Sequence, residues 1–225
     1  MWTYRKNHLS GFTLVELAIV LVIIGLLLAA VFKGQEMIQN AKAKNVINDL
    51  KGVSAAYYSY QDRYKAIPGD DSAATNHLGQ TAYNGNGDGV ISGAYTDNNA
   101  TVTTESQAFW QHARMAGFLT GTVTSTTAPA GTNAMGGLLG VQDGTTTAVY
   151  GMTGPVVCAG SIPWKIAQVV DLMIDDGNSD TGNVRAGAAS TTPNNATTAA
   201  TSLVYGTGAA APASTDELHT LCMKI

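Results

Sequence analysis

The stretch Gly11-Phe12-Thr13-Leu14-Val15-Glu16, continued by LAIVLVIIGLLLAAVF as far as Phe32, decides how the rest of the chain is read. From Phe12 to Phe32 there are 21 residues and one charge, Glu16. A helix of that length crosses a hydrocarbon layer of about 30 Å. The preceding residues carry Arg5, Lys6 and His8 and no acid. The positive-inside bias therefore keeps Met1 to Gly11 in the cytoplasm and sends the remainder of the chain out. An ordinary secretory signal fits poorly, because the apolar run exceeds the usual 7 to 15 residues and no A-x-A site follows it.

A carboxylate inside such a helix costs roughly 2.5 to 3.5 kcal/mol at mid-membrane on insertion scales and calls for a partner. A cut between Gly11 and Phe12 would create a free α-amino group four residues from Glu16. A neighbouring copy could present the same cation to the acid, which would then fix the register between subunits. A plain anchor leaves Glu16 unexplained.

The run GFTLVELAIVLVIIG resembles the class III signal of type IV pilins and type II secretion pseudopilins: a short basic leader ending in Gly11, Phe12 as the new N-terminus, and Glu16 at the fifth mature position. The resemblance implies that Gly11 and Phe12 are the site of leader cleavage and N-methylation by a prepilin peptidase/methyltransferase. It implies that Glu16 is the assembly carboxylate. The partners it implies are copies of the same chain in a helical filament, the inner membrane before assembly, and an inner-membrane assembly platform with its ATPase. Many pilins carry a proline where this chain has Lys33, and their helix loosens there. With Gly25 and Gly34 in its place, at most a local loosening is expected.

The expected fold is α+β and type IV pilin-like. Residues 1–11 form a leader and 12–64 a long N-terminal helix, of which 12–32 is the transmembrane and assembly segment. Residues 65–225 form a small globular periplasmic or extracellular head with an antiparallel sheet and short helices. From Lys33 to Tyr64 there is no proline, and Ile38, Ala41, Ile47, Leu50, Val53, Tyr57, Tyr60 and Tyr64 recur mostly at threes and fours. That stripe predicts an amphipathic continuation packed on the head, with the tyrosines read as core and not as an electron relay. The head carries five basic and twelve acidic side chains, a balance that speaks against nucleic acid as a partner.

Pro68 and Gly69 end the helix, and Asp70 or Asp71 is placed to cap a short helix at SAATNHLG. Asn84, Asn86 and Asp88, then Gly89 and Ile91, reproduce positions 1, 3, 5, 6 and 8 of a calcium loop. Position 12 falls on Tyr95, so a closing carboxylate must come from elsewhere, with Asp97 or Glu105 nearest. The alternative is a glycine-rich turn without metal. Asp176, Asn178 and Asp180 repeat the 1, 3, 5 oxygen spacing, with Thr181 where a glycine belongs; a solvated turn competes with this second metal reading. No cofactor is required, and calcium is the ion these loops suit.

Thr104-Glu105-Ser106-Gln107 has the capping-box form before a helix with Phe109 or Trp110, Ala113 and Ala116 on its apolar face and Gly117 as its stop. His112 on that helix reads as a surface or core side chain rather than a ligand. PWKIAQVVDLMIDDG (163–177) predicts another, with Ile166, Val169, Val170 and Met173 inward. AVYGM (148–152) and PVVCAGSI (155–162) read as two strands of a hairpin turning at Thr153-Gly154. Residues 119–147 and 186–216, rich in Thr, Ala, Gly and Ser, suit loops and edge strands. In an oxidising compartment the lone cysteines, Cys158 and Cys222, are expected to pair, the alternative being two buried thiols. Such a bond also resembles the disulfide-bounded C-terminal loop of type IV pilins, here 158–222.

No G-x-S-x-G, Walker loop or H-E-x-x-H is present, and His8, His77, His112 and His219 are scattered, so an enzyme is not expected. The resulting expectation is a pilin, located in the inner membrane as a precursor and then in a periplasmic or cell-surface filament. The alternatives are a type II secretion pseudopilin and a calcium-dependent adhesin on a single membrane anchor.

Overall fold

The computed structural model describes residues 13–98, 101–145, 149–187 and 218–225. Helix α1 spans Leu14–Tyr64, with an 18-residue window of mean hydropathy 3.0 near its start. It crosses Gly25, Lys33 and Gly34 without interruption. The chain divides into two compact units, Met1–Ile38 and Gln39–Ile225, so the boundary falls inside α1 and not at its end. Outer α1 belongs with the head because its side chains complete the head's core.

In the second unit α1 buries Ala43, Val46, Ile47, Leu50, Val53, Ala56, Tyr57 and Tyr60. The stripe begins five residues later than the spacing suggested: Ile38 and Ala41 are exposed, and Ala43 and Val46 take the inward positions. Among the described residues, short helices α2 (Ala74–Leu78), α3 (Glu105–Met115) and α4 (Trp164–Ile174) accompany five strands. These are β1 (Gly131–Thr132), β2 (Leu138–Asp143), β3 (Pro155–Pro163), β4 (Val184–Ala186) and β5 (Leu218–Lys224). They form an antiparallel sheet in the order β1-β2-β3-β5-β4. The fold is α+β and pilin-like.

Alternation along the strands separates two apolar clusters. Leu139, Val141, Val157, Ala159 and Leu221 face the cluster that holds the α1 stripe, Phe109 and Trp110. Val156, Cys158 and Cys222 face a smaller cluster with Tyr95, Tyr150 and Met152. Gly140 lies on that second face, where the Tyr95 carbonyl sits so close that a β-carbon at position 140 would collide with it.

The hairpin expected over 148–162 is corrected. Strand β3 forms, but its partner is β2, paired from Leu139↔Ala159 to Asp143↔Pro155. Val149 and Met152 instead bridge each other around Tyr150 and Gly151, both with positive φ. That reversal turns the chain back before a strand can extend. Within β3 the pairing with β5 slips between Ala159 and Ile162, and the Asn133 amide donates to the Gly160 carbonyl at 2.7 Å across the irregularity.

The two later helices differ from expectation in detail. On α4 Met173 is exposed and Ala167 takes its place in the core. On α3 the capping box is shifted by one residue. The Thr104 side chain makes no cap bond, while Gln107 Oε1 accepts the Thr103 N–H at 2.9 Å.

Candidate functional site: the N-terminal segment and the loops of the head

Every residue from Thr13 to Lys33 is exposed, and the most apolar window of α1 buries nothing. Inside that window the helix is apolar on all sides, so no single face can satisfy it. Glu16 Oε2 accepts the Thr13 N–H at 2.8 Å and the Thr13 hydroxyl at 2.9 Å, and the Glu16 N–H reaches Thr13 Oγ1 at 3.3 Å. This is a reciprocal capping box at the start of α1. The T-x-x-E spacing of Thr13 and Glu16 carried that signal in plain view, and sequence reasoning passed it over. Among the described residues of a single chain the acid thus has a polar partner but no cation. Gly11 and Phe12 lie outside the described residues.

The loop 84–92 is wound around two buried carboxylates. Asp70 Oδ1 accepts the N–H groups of Gly87 at 2.6 Å and Asp88 at 3.1 Å, and Oδ2 that of Gly89 at 2.8 Å. Glu105 Oε1 accepts from Asn86 at 2.9 Å; its Oε2 accepts from the Ser92 N–H at 2.8 Å and hydroxyl at 2.7 Å. Burial pushes the Asp70 carboxyl above the usual carboxylate range, with the Glu105 charge adding to it against the pull of the three N–H groups. A side chain on Gly85 would collide with the Asp70 backbone.

The three oxygens of the first calcium-like spacing are bonded locally. Asn84 Oδ1 accepts the Thr75 N–H at 3.0 Å, Asn86 Oδ1 the Asp88 N–H at 2.8 Å, and Asp88 Oδ1 the Val90 N–H at 2.9 Å. Of the two closing carboxylates considered, Glu105 reaches this loop. Asp97 is used elsewhere, accepting the Ala94 N–H at 3.0 Å.

Beneath the loop His112 Nδ1 accepts the Gly69 N–H at 2.9 Å, which leaves Nε2 protonated and donating to the Tyr83 carbonyl at 2.7 Å. Burial holds this imidazole below its ordinary pKa. Gln111 joins the same region, accepting the Tyr83 N–H at 2.7 Å and donating to the Thr124 carbonyl at 2.8 Å. Asp71 Oδ2 receives the Tyr60 hydroxyl at 2.7 Å and lies 2.7 Å from His77 Nδ1, while its Oδ1 accepts the Ala73 N–H just ahead of α2. Burial raises the Asp71 pKa, but the combined His77, Tyr60 and Ala73 hydrogen bonds outweigh it and hold the carboxyl below its ordinary value.

The loop after α4 gathers carboxylates. Asp176 Oδ1 accepts the Asn178 N–H at 2.8 Å and Oδ2 the Thr181 hydroxyl at 2.5 Å. These bonds, led by that of Thr181, lower the Asp176 pKa. Asp171 and Asp175, which sequence spacing did not single out, bring oxygens beside that of Asp176. Cys158 and Cys222 stand directly opposite each other on β3 and β5 and are joined as a disulfide. The bond ties the last strand into the sheet.

Residues 6–32 match the family described as the prokaryotic N-terminal methylation motif. The chain carries that motif. It covers Lys6 to Ser10, Gly11, Phe12, Glu16 and the exposed apolar part of α1, and none of the head. No curated protein and no solved structure matches the chain. The motif is the signal of the type IV pilin and pseudopilin family, which is structural rather than enzymatic. In general terms it implies processing by prepilin peptidase and assembly into a filament, and it fits a membrane-anchored precursor.

Proposed function

We propose that this chain is the structural subunit of a type IV pilus-like filament, cut after Gly11 and polymerised through the apolar start of α1. The observation that carries this reading is the segment Leu14–Phe32. It lies within the methylation motif, exposes apolar side chains on every side, and holds one acid near its tip. In the membrane lipid covers such a surface; in a filament, sister helices replace the lipid through heterologous contacts that do not close.

Glu16 supplies the register. Cleavage removes everything before Phe12 and creates an α-amino group near the Thr13–Glu16 box. A sister chain's protonated amine would bring a full positive charge that the donors of Thr13 lack, so the acid gains by pairing with it. Intact-mass measurement of the exported protein tests the processing, with a chain beginning at N-methylated Phe12 expected. A chain that retains its leader would refute the proposal.

The pseudopilin reading is favoured by one feature, the absence of a proline at Lys33 together with an α1 that runs through that position unbroken. Calcium in loop 84–91 would strengthen it. Surface fibres containing this chain select the pilus, and a secretion defect without fibres on deletion selects the pseudopilus. The single-anchor adhesin predicts that Glu16→Ala is silent.

A further inference from the structure

The two edges of the sheet are finished differently. On β4 the N–H groups that point away from β5 are taken: that of Val184 donates to Asp175 Oδ2 at 2.7 Å, and that of Ala186 to the Ser179 carbonyl at 3.0 Å. An edge covered in this way does not take up another strand. On β1, at the opposite edge, the Asn133 N–H donates to the Gly137 carbonyl at 2.9 Å. Bonded and non-bonded pairs alternate along an antiparallel ladder, so Gly131 is bonded to Leu139, and the N–H and carbonyl of Thr132 point away from β2. Asn98 Oδ1 accepts the Ala130 N–H at 2.9 Å, and Asp49 Oδ2 the Ala134 N–H at 2.7 Å. Between them the Thr132 N–H has no acceptor among the described residues.

A groove of about 380 Å³ opens at this edge, with Thr132, Thr120, Asn48 and Gly52 of α1, and Trp110 and Arg114 of α3 in its walls. A β-carbon at Gly52 would meet nothing within 4 Å. Glycine weakens a helix interior, and no close approach demands one here; its effect is to keep that wall of the groove low. Arg114 supplies the charge. Its Cζ lies 5.3 Å from the centre of the Trp110 ring, Nε donates to the Thr120 carbonyl at 3.4 Å, and Nη1 donates to the carbonyls of Thr122 and Pro129. Nη2 has no acceptor and the guanidinium no carboxylate partner among the described residues. Burial lowers its pKa, the mark of a cation short of compensating charge.

We propose that this groove binds an extended acidic peptide segment of another protein, which pairs its main chain with Thr132 and sets a carboxylate against Arg114. An open strand edge takes a peptide through its backbone, and the side-chain sites beside it supply the preference. The free edge of the guanidinium offers a carboxylate a charge-assisted bond, and Asp49, the acid that lines the groove, is turned to the Ala134 N–H. The sheet thus takes a visiting strand at β1 and refuses one at β4. The proposal does not rest on the filament reading.

The test uses the full chain in detergent and, as the probe, a labelled, end-blocked peptide of alternating valine and glutamate followed by fluorescence anisotropy. Saturable binding is expected, at least about tenfold weaker for the same peptide with lysine in place of glutamate. It should vanish when the peptide amides are N-methylated, because the Thr132 carbonyl then finds no donor. Gly52→Leu raises the wall of the groove and should abolish binding, while the melting temperature does not fall, since nothing packs at that position. Arg114→Gln should bring the acidic and basic peptides to equal affinity. No binding of the acidic peptide up to the order of millimolar would overturn the proposal. So would undiminished binding by the Gly52→Leu chain, or a lysine peptide that binds the wild type as tightly as the acidic one. Self-association of the chain that Gly52→Leu removes would seat a second copy in the groove and overturn it as well.

Discussion

Between Leu14 and Phe32 α1 is apolar on every side and exposed on every side, whereas between Ala43 and Tyr60 it is apolar along one stripe and buries that stripe in the head. The outer half has one fixed partner in its own chain, so only one face needs to be apolar, and Lys44, Asn48 and Lys51 can occupy the rest. The inner half has no partner in its own chain among the described residues. Apolar surface on all sides makes sense only if the cover comes from all sides, as lipid and then other copies would supply it in the filament proposed above. Periodicity thus separates a contact made within the chain from one made outside it.

The most severe way to break this comparison is Glu16→Ala. If the inner half is an assembly surface, losing its one acid should abolish filaments, while the melting temperature of the head stays where it was. Fibre counts beside a calorimetric scan of the detergent-solubilised chain provide the check, and normal fibres would reduce the segment to an anchor.

Next in size is the disulfide. The Cys158→Ala, Cys222→Ala double variant frees a closure 64 residues long and should lose about 4 kcal/mol in denaturant unfolding. The loss belongs to the head alone, so membrane insertion should be unaffected. Matched leucines then sharpen the contrast between the halves. Leu50 is fully buried and Leu27 is 61% exposed. Leu50→Ala should cost the head roughly 2–5 kcal/mol, and Leu27→Ala close to nothing, in the same unfolding measurement.

What the sequence made legible follows from the range of the interactions. Helix α1, helix α4, strand β3 and the methylation motif are local patterns, and a reader of residues can count them. Strand β2 was lost in a Gly- and Thr-rich region because Gly140 interrupts its apolar run, and the glycine is explained only by Tyr95, 45 residues earlier, lying across it. The roles of Asp70, Glu105, Gln111 and His112 were hidden for a related reason. Each bonds to backbone groups between 13 and 43 residues away, and no local spacing encodes such a pairing. The N-G-N-G-D-G run drew attention as a ligand set, yet it folds around a carboxylate, Asp70, supplied by the turn after α1.

That hidden polar layer gives the smallest effect and a signature the inner half of α1 cannot produce. His112 is neutral in the head, with both ring nitrogens engaged, and burial keeps its pKa below the ordinary value near 6.5. Above pH 6.5 neither the folded nor the unfolded state carries the proton, and the His112 contribution is complete. As the pH falls below 6.5 the unfolded chain binds a proton that the folded head refuses, so stability declines, by at most about 1.4 kcal/mol per pH unit for this one group. Asp71 acts with the same sign in a lower window, its depressed pKa withdrawing stability only below the ordinary carboxylate value of 3.8. Denaturant unfolding between pH 8 and pH 5 should therefore slope downward in the wild type and flatten in His112→Gln, which cannot titrate there. An identical slope in both would mean that the imidazole is already free to accept its proton in the folded head, and the Gly69–His112–Tyr83 bridge would not be the joint described.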